Sequence, residues 1–151
     1  MTSLVFPDIN VWLAMAFTAH AHHLSAKKWF DSLSEEEELI FCRFTQLGLL
    51  RLLTQPAIMG NRVKTQPQAW QIYDTFVMDG NARLMQEPRL LDRSFRRFAS
   101  FDSASPQSWA DSYLAAFAEE TGAILVTFDK ALVGRVGGSI LLGGFPQKSD
   151  R

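Results

Sequence analysis

The chain of 151 residues holds 15 lysines and arginines against 16 aspartates and glutamates, one cysteine, and 47% hydrophobic residues, enough to fill a core. A domain of this length buries roughly two-thirds of its unfolded surface, so folding needs neither disulfide nor structural metal, and a net charge of −1 excludes the global positive field of a strongly basic nucleic-acid binder. The lone Cys42 speaks against an oxidising compartment. Apolar runs broken early by Asp, Arg or Lys, and an N-terminus without a basic region, speak against a membrane span or a leader, so the expectation is one cytoplasmic domain over residues 1–151.

Taken in chain order, residues 4–6 read as a buried strand that stops at Pro7-Asp8, and residues 10–17 as a helix that gives way in the segment with His20, His22 and His23. In residues 25–33, Ala26, Trp29, Phe30 and Leu33 fall at i, i+3, i+4 and i+7, one helical face. The acidic run 35–38 is expected to be a solvated connection before a strand at 39–42. A helix capped near Thr45 then carries Leu47, Leu49, Leu50, Leu52 and Leu53, and Gln55-Pro56 stops it. Thr65-Gln66-Pro67-Gln68 has the spacing of a capping box, and Ala69, Ile72, Tyr73, Phe76 and Val77 line one face of the helix it opens. Asp79-Gly80-Asn81 makes a turn into a strand at 82–86, followed by a helix at 90–98. Ser105-Pro106 caps the next helix and Gly122 ends it, before the apolar strand 123–127. A short helical or turn segment leads to an edge strand at 139–142. Strands alternating with helices, several of them continuous apolar runs, predict an α/β fold with a parallel sheet covered on both faces.

In such a sheet, ligands bind outside the carboxyl ends of the strands, where strand order reverses. Asp8 ends the first strand and Asp129 follows Val126-Thr127-Phe128, so the two carboxylates converge if their strands are neighbours. Asp111 lies in the first turns of the helix after Pro106, among the small residues Ala110, Ser112, Ala115 and Ala118, which let that helix approach the sheet. Each acid alone has an ordinary use, Asp8 and Asp129 as helix caps and Asp111 as a complement to a helix dipole. Three carboxylates at one low-dielectric edge, however, repel one another unless protons or a cation neutralise them. Hard oxygen donors of this kind suit Mg2+ or Mn2+.

Asp8-Ile9-Asn10 after the first strand, TQLGLLR from Thr45 to Arg51, Asp111 within WADSYLAAFA, and LVTFD ending at Asp129 together resemble the PIN-domain signature. More narrowly they are similar to the VapC-type toxin ribonucleases of bacterial toxin–antitoxin systems, and HAHHLSAKKW and LLRLLTQP resemble one bacterial subgroup. The ordered set spans nearly the whole chain. The resemblance implies a three-layer α/β/α sandwich around a mainly parallel sheet, an endoribonuclease dependent on Mg2+ or Mn2+, a homodimer, and a small cognate antitoxin. It carries over Asp8, Asp111 and Asp129 as catalytic metal ligands, with Asn10 and Thr127 as supporting groups. In one departure from the family pattern, the glutamate three residues after the helix threonine is Gly48 here. That opens an alternative, a PIN fold with weakened or lost cleavage that only binds RNA or antitoxin. It also makes Gln46 and Glu87 candidate substitutes, and Gly48→Glu is expected to be tolerated if Gly48 faces the open acidic cleft.

Arg89, Arg93, Arg96 and Arg97 fall at i, i+4, i+7 and i+8, a basic helix face beside Phe95 and Phe98. Such stripes are ordinarily solvated surface, yet this one is the best local phosphate-binding candidate for an RNA substrate. His20, His22 and His23 lack the cysteine or fourth histidine of a zinc set and read as a polar loop able to touch RNA. Residues 134–138, GRVGG, match no phosphate-binding loop and read as a turn. No serine–histidine pairing suggests covalent hydrolysis. A receiver-type phosphoacceptor domain would need paired acids after the first strand, where Pro7-Asp8 offers one.

Overall fold

Strands and helices alternate along the chain, described here from a computed structural model over residues 2–143. Residue 1 and residues 144–151 of the expected single domain lie outside the described residues. The first half runs β1 (Ser3–Pro7), α1 (Ile9–Ala16), α2 (His23–Asp31), β2 (Glu37–Phe41), α3 (Arg43–Leu53), α4 (Pro56–Met59) and α5 (Gln66–Asp79). The second runs β3 (Ala82–Leu84), α6 (Leu91–Phe98), α7 (Trp109–Thr121), β4 (Ile124–Thr127), α8 (Lys130–Val133) and β5 (Ile140–Leu141). The five strands form one parallel sheet in the order β3-β2-β1-β4-β5. Parallel neighbours require crossovers, and the helices that supply them cover both faces.

Side chains alternate between those faces along each strand. Val5, Leu39, Phe41, Ala82 and Val126 pack with Trp12, Leu49, Leu53 and Tyr73 in one core, whereas Phe6, Ile40 and Leu125 pack with Leu114, Phe117 and Leu132 in the other. Burial on both sides is why the strands read as continuous apolar runs. Trp12 stacks on Phe41 with ring centroids 3.8 Å apart, and Phe6 meets Phe117 at 4.9 Å. Such ring pairs add about 0.5–1.5 kcal/mol beyond their area burial. Ala115, Ala116 and Ala118 of α7 are buried, the small residues that allow a close approach to the sheet.

The expected capping box opens α5: Thr65 Oγ1 accepts the Gln68 N–H at 3.3 Å, and Gln68 Oε1 accepts the Thr65 N–H at 2.9 Å. Three local expectations are corrected. Glu37 and Glu38 are the first residues of β2 rather than part of a solvated connection, because they pair in register with Ser3 and Leu4 of β1, and Arg83 on the adjacent β3 meets Glu38 at 2.6 Å. Cys42, not Thr45, caps α3, with Thr45 Oγ1 reaching back to accept the Cys42 N–H at 3.0 Å. Ser105-Pro106 leads into a 3-10 turn at Pro106–Ser108, and α7 begins only at Trp109. Gly122 ends α7 as expected, at a φ of 72° that favours glycine.

Strand order runs outward from β1 in both directions, to β2 and β3 on one side and to β4 and β5 on the other. The carboxyl ends of β1 and β4 therefore flank the crevice where this architecture holds its ligands.

Candidate active site

β1 and β4 pair in register through Pro7 and Val126, and the Asp8 N–H donates to the Val126 carbonyl at 2.9 Å. The two strands are the neighbours the sequence reading required. Fully buried Thr127 donates its hydroxyl to Asp8 Oδ2 and accepts the Asp129 N–H at 3.0 Å. One hydroxyl thus ties together the two segments that carry Asp8 and Asp129. Both acids also serve as caps: Asp8 Oδ1 accepts the Val11 N–H at 3.2 Å, and Asp129 Oδ1 accepts those of Ala131 and Leu132 at 2.9 and 3.3 Å. Capping uses only one oxygen of each. Asp129 Oδ2 and the Asp111 carboxylate accept no hydrogen bond among the described residues.

Asp8 is 8% exposed. Burial pushes its carboxyl from 3.8 up to about 6, against hydrogen bonds from Thr127 and the Val11 and Asn10 amides that favour the charged form, and Asp111's charge adds to the rise. Asp111 is raised as well, by partial burial first and by Asp129's charge second, while Arg135 draws it down. The acids form an electrostatic chain from Asp8 through Asp111 to Asp129. None of the ion pairs among the described residues involves Asp8. Asn10 is exposed in the first turn of α1 and supports Asp8 through its backbone amide.

Among the described residues, no three His, Cys, Asp or Glu side chains stand placed to hold one ion together. The chemistry of the donors nonetheless fits a divalent cation. Mg2+ and Mn2+ take hard oxygen ligands and need only one or two carboxylates besides water. Asp8 is buried, Asp111 half-buried and Asp129 exposed, and a cation would relieve the like charge that Asp8 and Asp111 feel.

Residues 5–137 match the PIN domain family. The chain belongs to the PIN domain family. Ribonuclease VapC41 of Mycobacterium tuberculosis is 41% identical over 128 residues, 82% of this chain and 88% of that protein. Ribonuclease VapC39 of the same organism is 30% identical over 133 residues, 87% of this chain and 91% of its own. Among solved structures, Mycobacterium tuberculosis VapC20, described as a sarcin-ricin loop cleaving toxin, matches with a TM-score of 0.63 at 16% identity, covering 87% of this chain and 94% of its own. Rickettsia felis VapBC2, bound to a DNA fragment from its promoter, matches at 0.62 and 13%, covering 91% and 96%. These structures share the PIN sandwich expected from the sequence.

Within this PIN fold, Gly48 does not open onto free space. A Cβ at Gly48 would lie 2.3 Å from Ile9 Cδ1 and 2.8 Å from Ile9 Cγ1, so the residue beside Asp8 fills the room a side chain would need. The condition under which Gly48→Glu is expected to be tolerated, an open cleft at Gly48, is not met. The two candidate substitutes are engaged elsewhere. Gln46, buried, accepts the Arg43 guanidinium at 2.7 Å and hydrogen-bonds Tyr73, and Glu87 accepts the Tyr113 hydroxyl at 2.7 Å. Burial and Glu87 in turn raise the Tyr113 phenol.

The basic stripe divides in two. Arg96 pairs with Asp92 at 2.7 Å and Arg97 with Glu119, while Arg89 and Arg93 are exposed and form no ion pair among the described residues. The histidines pack as a loop: the His22 ring lies 4.5 Å from that of Phe128, and His23 Nδ1 donates to the Ala14 carbonyl at 2.7 Å. Burial, then His22 and His23, lower His20. Sequence reasoning passed over Arg135, in the stretch read as a turn. Arg135 donates to the Phe98 carbonyl at 2.8 Å and to Ser112 Oγ at 3.0 Å, beside Asp111. Those partners are 37 and 23 residues away, and no local spacing signals them.

Proposed function

We propose that this PIN protein is an endoribonuclease dependent on Mg2+ or Mn2+ and the toxin of a toxin–antitoxin pair, working in the cytoplasm as a homodimer. The observation that carries this reading is the electrostatic chain of Asp8, Asp111 and Asp129 at the β1–β4 crevice, with Thr127 joining Asp8 to Asp129 and no cation among the described residues paired with Asp8. The names of the relatives favour an enzyme over a fold that only binds RNA or antitoxin. Rickettsia felis VapBC2 and FitAcB from Neisseria gonorrhoeae, whose folds match this chain, support a partner protein.

In this reading Asp8, Asp111 and Asp129 are the ligands, and Thr127 and Asn10 keep Asp8 in place and charged. A bound divalent ion would supply Lewis-acid polarisation of the scissile phosphate and a lowered pKa for the attacking water. The chain's own share is positional. Thr127 fixes Asp8 Oδ2 and the Asp129 backbone together, and Asp111, in the first turn of α7, is within electrostatic reach of both. Arg89 and Arg93 are free to meet phosphates of an RNA strand, with Arg96 and Arg97 flanking them. An antitoxin arginine reaching the three aspartates would compete with the ion through charge-assisted hydrogen bonds.

The test is RNA cleavage by protein purified free of any partner, with Mg2+, with Mn2+ and with a chelator. Cleavage that depends on the ion and disappears in folded Asp8→Asn supports the reading. Undiminished cleavage by Asp8→Asn, or cleavage indifferent to chelation, would refute the assignment.

A further inference from the structure

On the α6–α7 side of the acidic edge, guanidinium groups and rings stack in alternation. Arg97 Cζ lies 4.7 Å from the centre of the Phe98 ring, and Arg135 Cζ lies 5.6 Å from Phe98 and 5.2 Å from Phe101. Arg135 is anchored by its bonds to the Phe98 carbonyl and Ser112 Oγ, and its charge is felt at Asp111. The ladder therefore passes within electrostatic reach of Asp111 at Arg135 and ends at Phe101, which is 54% exposed. Trp109, 55% exposed, lines the same cavity as Phe101, and is held edge-on by Phe95 at 6.2 Å. Two residues further along α7 stands Asp111.

Two half-exposed rings forgo apolar burial that would otherwise stabilise the fold. The lining between them is mixed, Ser103, Ser105 and Ser108 beside Ala99 and Ala104, and the Arg135 guanidinium lies over the Phe101 ring. Hydroxyls, a cation and open ring faces match a nucleotide better than an apolar peptide side chain. Every base presents a π-face, and an arginine with five N–H donors can hold two internal acceptors and still meet a phosphate.

We propose that Phe101 and Trp109, backed by Arg135, form a base-stacking subsite for one nucleotide of single-stranded RNA that flanks the phosphate held at Asp8, Asp111 and Asp129. The subsite rests on the ribonuclease reading. Stacking explains why the rings are exposed there, and the ladder explains how their position is fixed relative to the acids.

The experiment uses the full chain carrying Asp8→Asn, which prevents cleavage, and single-stranded RNA oligomers with 2-aminopurine placed at successive positions. Anisotropy gives affinity, and quenching of 2-aminopurine reports stacking directly. Phe101→Ala and Trp109→Ala should each weaken binding about 5- to 150-fold and relieve quenching at one position. Phe101→Tyr, which keeps the ring, should bind within about threefold of its parent. An oligomer abasic at the quenched position should bind the unaltered subsite as weakly as Phe101→Ala binds intact RNA, a result that does not depend on how any ring variant folds. Unchanged affinity and quenching in both alanine variants would overturn the subsite and leave the rings as a surface for a protein partner. If the Asp8→Asn parent binds no RNA at all, the ribonuclease reading falls with it.

Discussion

The two halves of the sheet's carboxyl edge use similar polar residues to opposite effect. At the ends of β2 and β3, each polar group closes on another group of the same chain: Thr45 on Cys42, Arg43 on Gln46, Tyr113 on Glu87. At the ends of β1 and β4, Asp8 is pushed up by burial despite hydrogen bonds from Thr127 and the Val11 and Asn10 amides, Asp111 feels Asp129, and the one cation among the described residues that eases these acids is Arg135, at Asp111. A closed set of polar groups stabilises a fold and asks for nothing further. An edge of coupled carboxylates is a cost to the fold that a cation from outside can offset, and that asymmetry is why we propose the β1–β4 half as the working one.

The largest expected effects set the halves against each other in activity. Asp8→Asn, Asp111→Asn and Asp129→Asn should each lower RNA cleavage about a hundredfold or more. Glu87→Gln, on the other half, should leave cleavage rates within about threefold, since the amide oxygen can still accept the Tyr113 hydroxyl and the lost charge assistance is worth roughly 1 kcal/mol. Loss of cleavage in folded Glu87→Gln would break the comparison.

The next effect is on stability in the metal-free protein. Asp8 titrates near 6 folded and near 3.8 unfolded, so the folded state holds the extra proton between these values. Stability should be highest below pH 3.8 as far as this group is concerned, fall as pH rises to 6, and level off above. Asp8→Asn removes that loss and should gain up to about 3 kcal/mol over its parent in metal-free denaturation at pH 7. A parent and variant with identical pH profiles would show that Asp8 is not under strain.

Gly48→Glu should cost about 1–3 kcal/mol, because the new side chain overpacks Ile9. Combining it with Ile9→Ala, which removes the obstructing atoms, should recover part of that loss, and a double-mutant cycle measures the coupling. Additive effects would mean that Ile9 is not what Gly48 accommodates. The smallest effect serves as a reference far from either half: Thr65→Ala, which removes the α5 cap, should cost about 1 kcal/mol and leave cleavage unchanged.

The features legible in the sequence were those with local or strongly patterned causes. Apolar strand runs, the Thr65–Gln68 box and the Gly122 stop each depend on neighbours a few residues away, and the ordered motifs of a PIN protein named the fold. Asp8 and Asp129 could be brought together on paper because buried parallel strands end at one edge. What escaped depended on distant partners. Glu38 belongs to β2 because it pairs with Leu4 of β1, and Arg135 acts on residues of α6 and α7. Cys42 and Thr45 exchange hydrogen bonds in both directions across three residues, so either one looks like the cap from spacing alone. The direction Gly48 faces is set by how α1 crosses α3, which no residue of TQLGLLR announces.

The most direct measurement of whether Asp8, Asp111 and Asp129 form one ion site is calorimetric titration of Mn2+ into partner-free protein and into the three single Asp→Asn variants, each shown to be folded. The account predicts saturable binding by the unaltered chain and a loss of about tenfold or more in affinity for every variant. Mn2+ binding by all three variants with the affinity of the unaltered chain would contradict it.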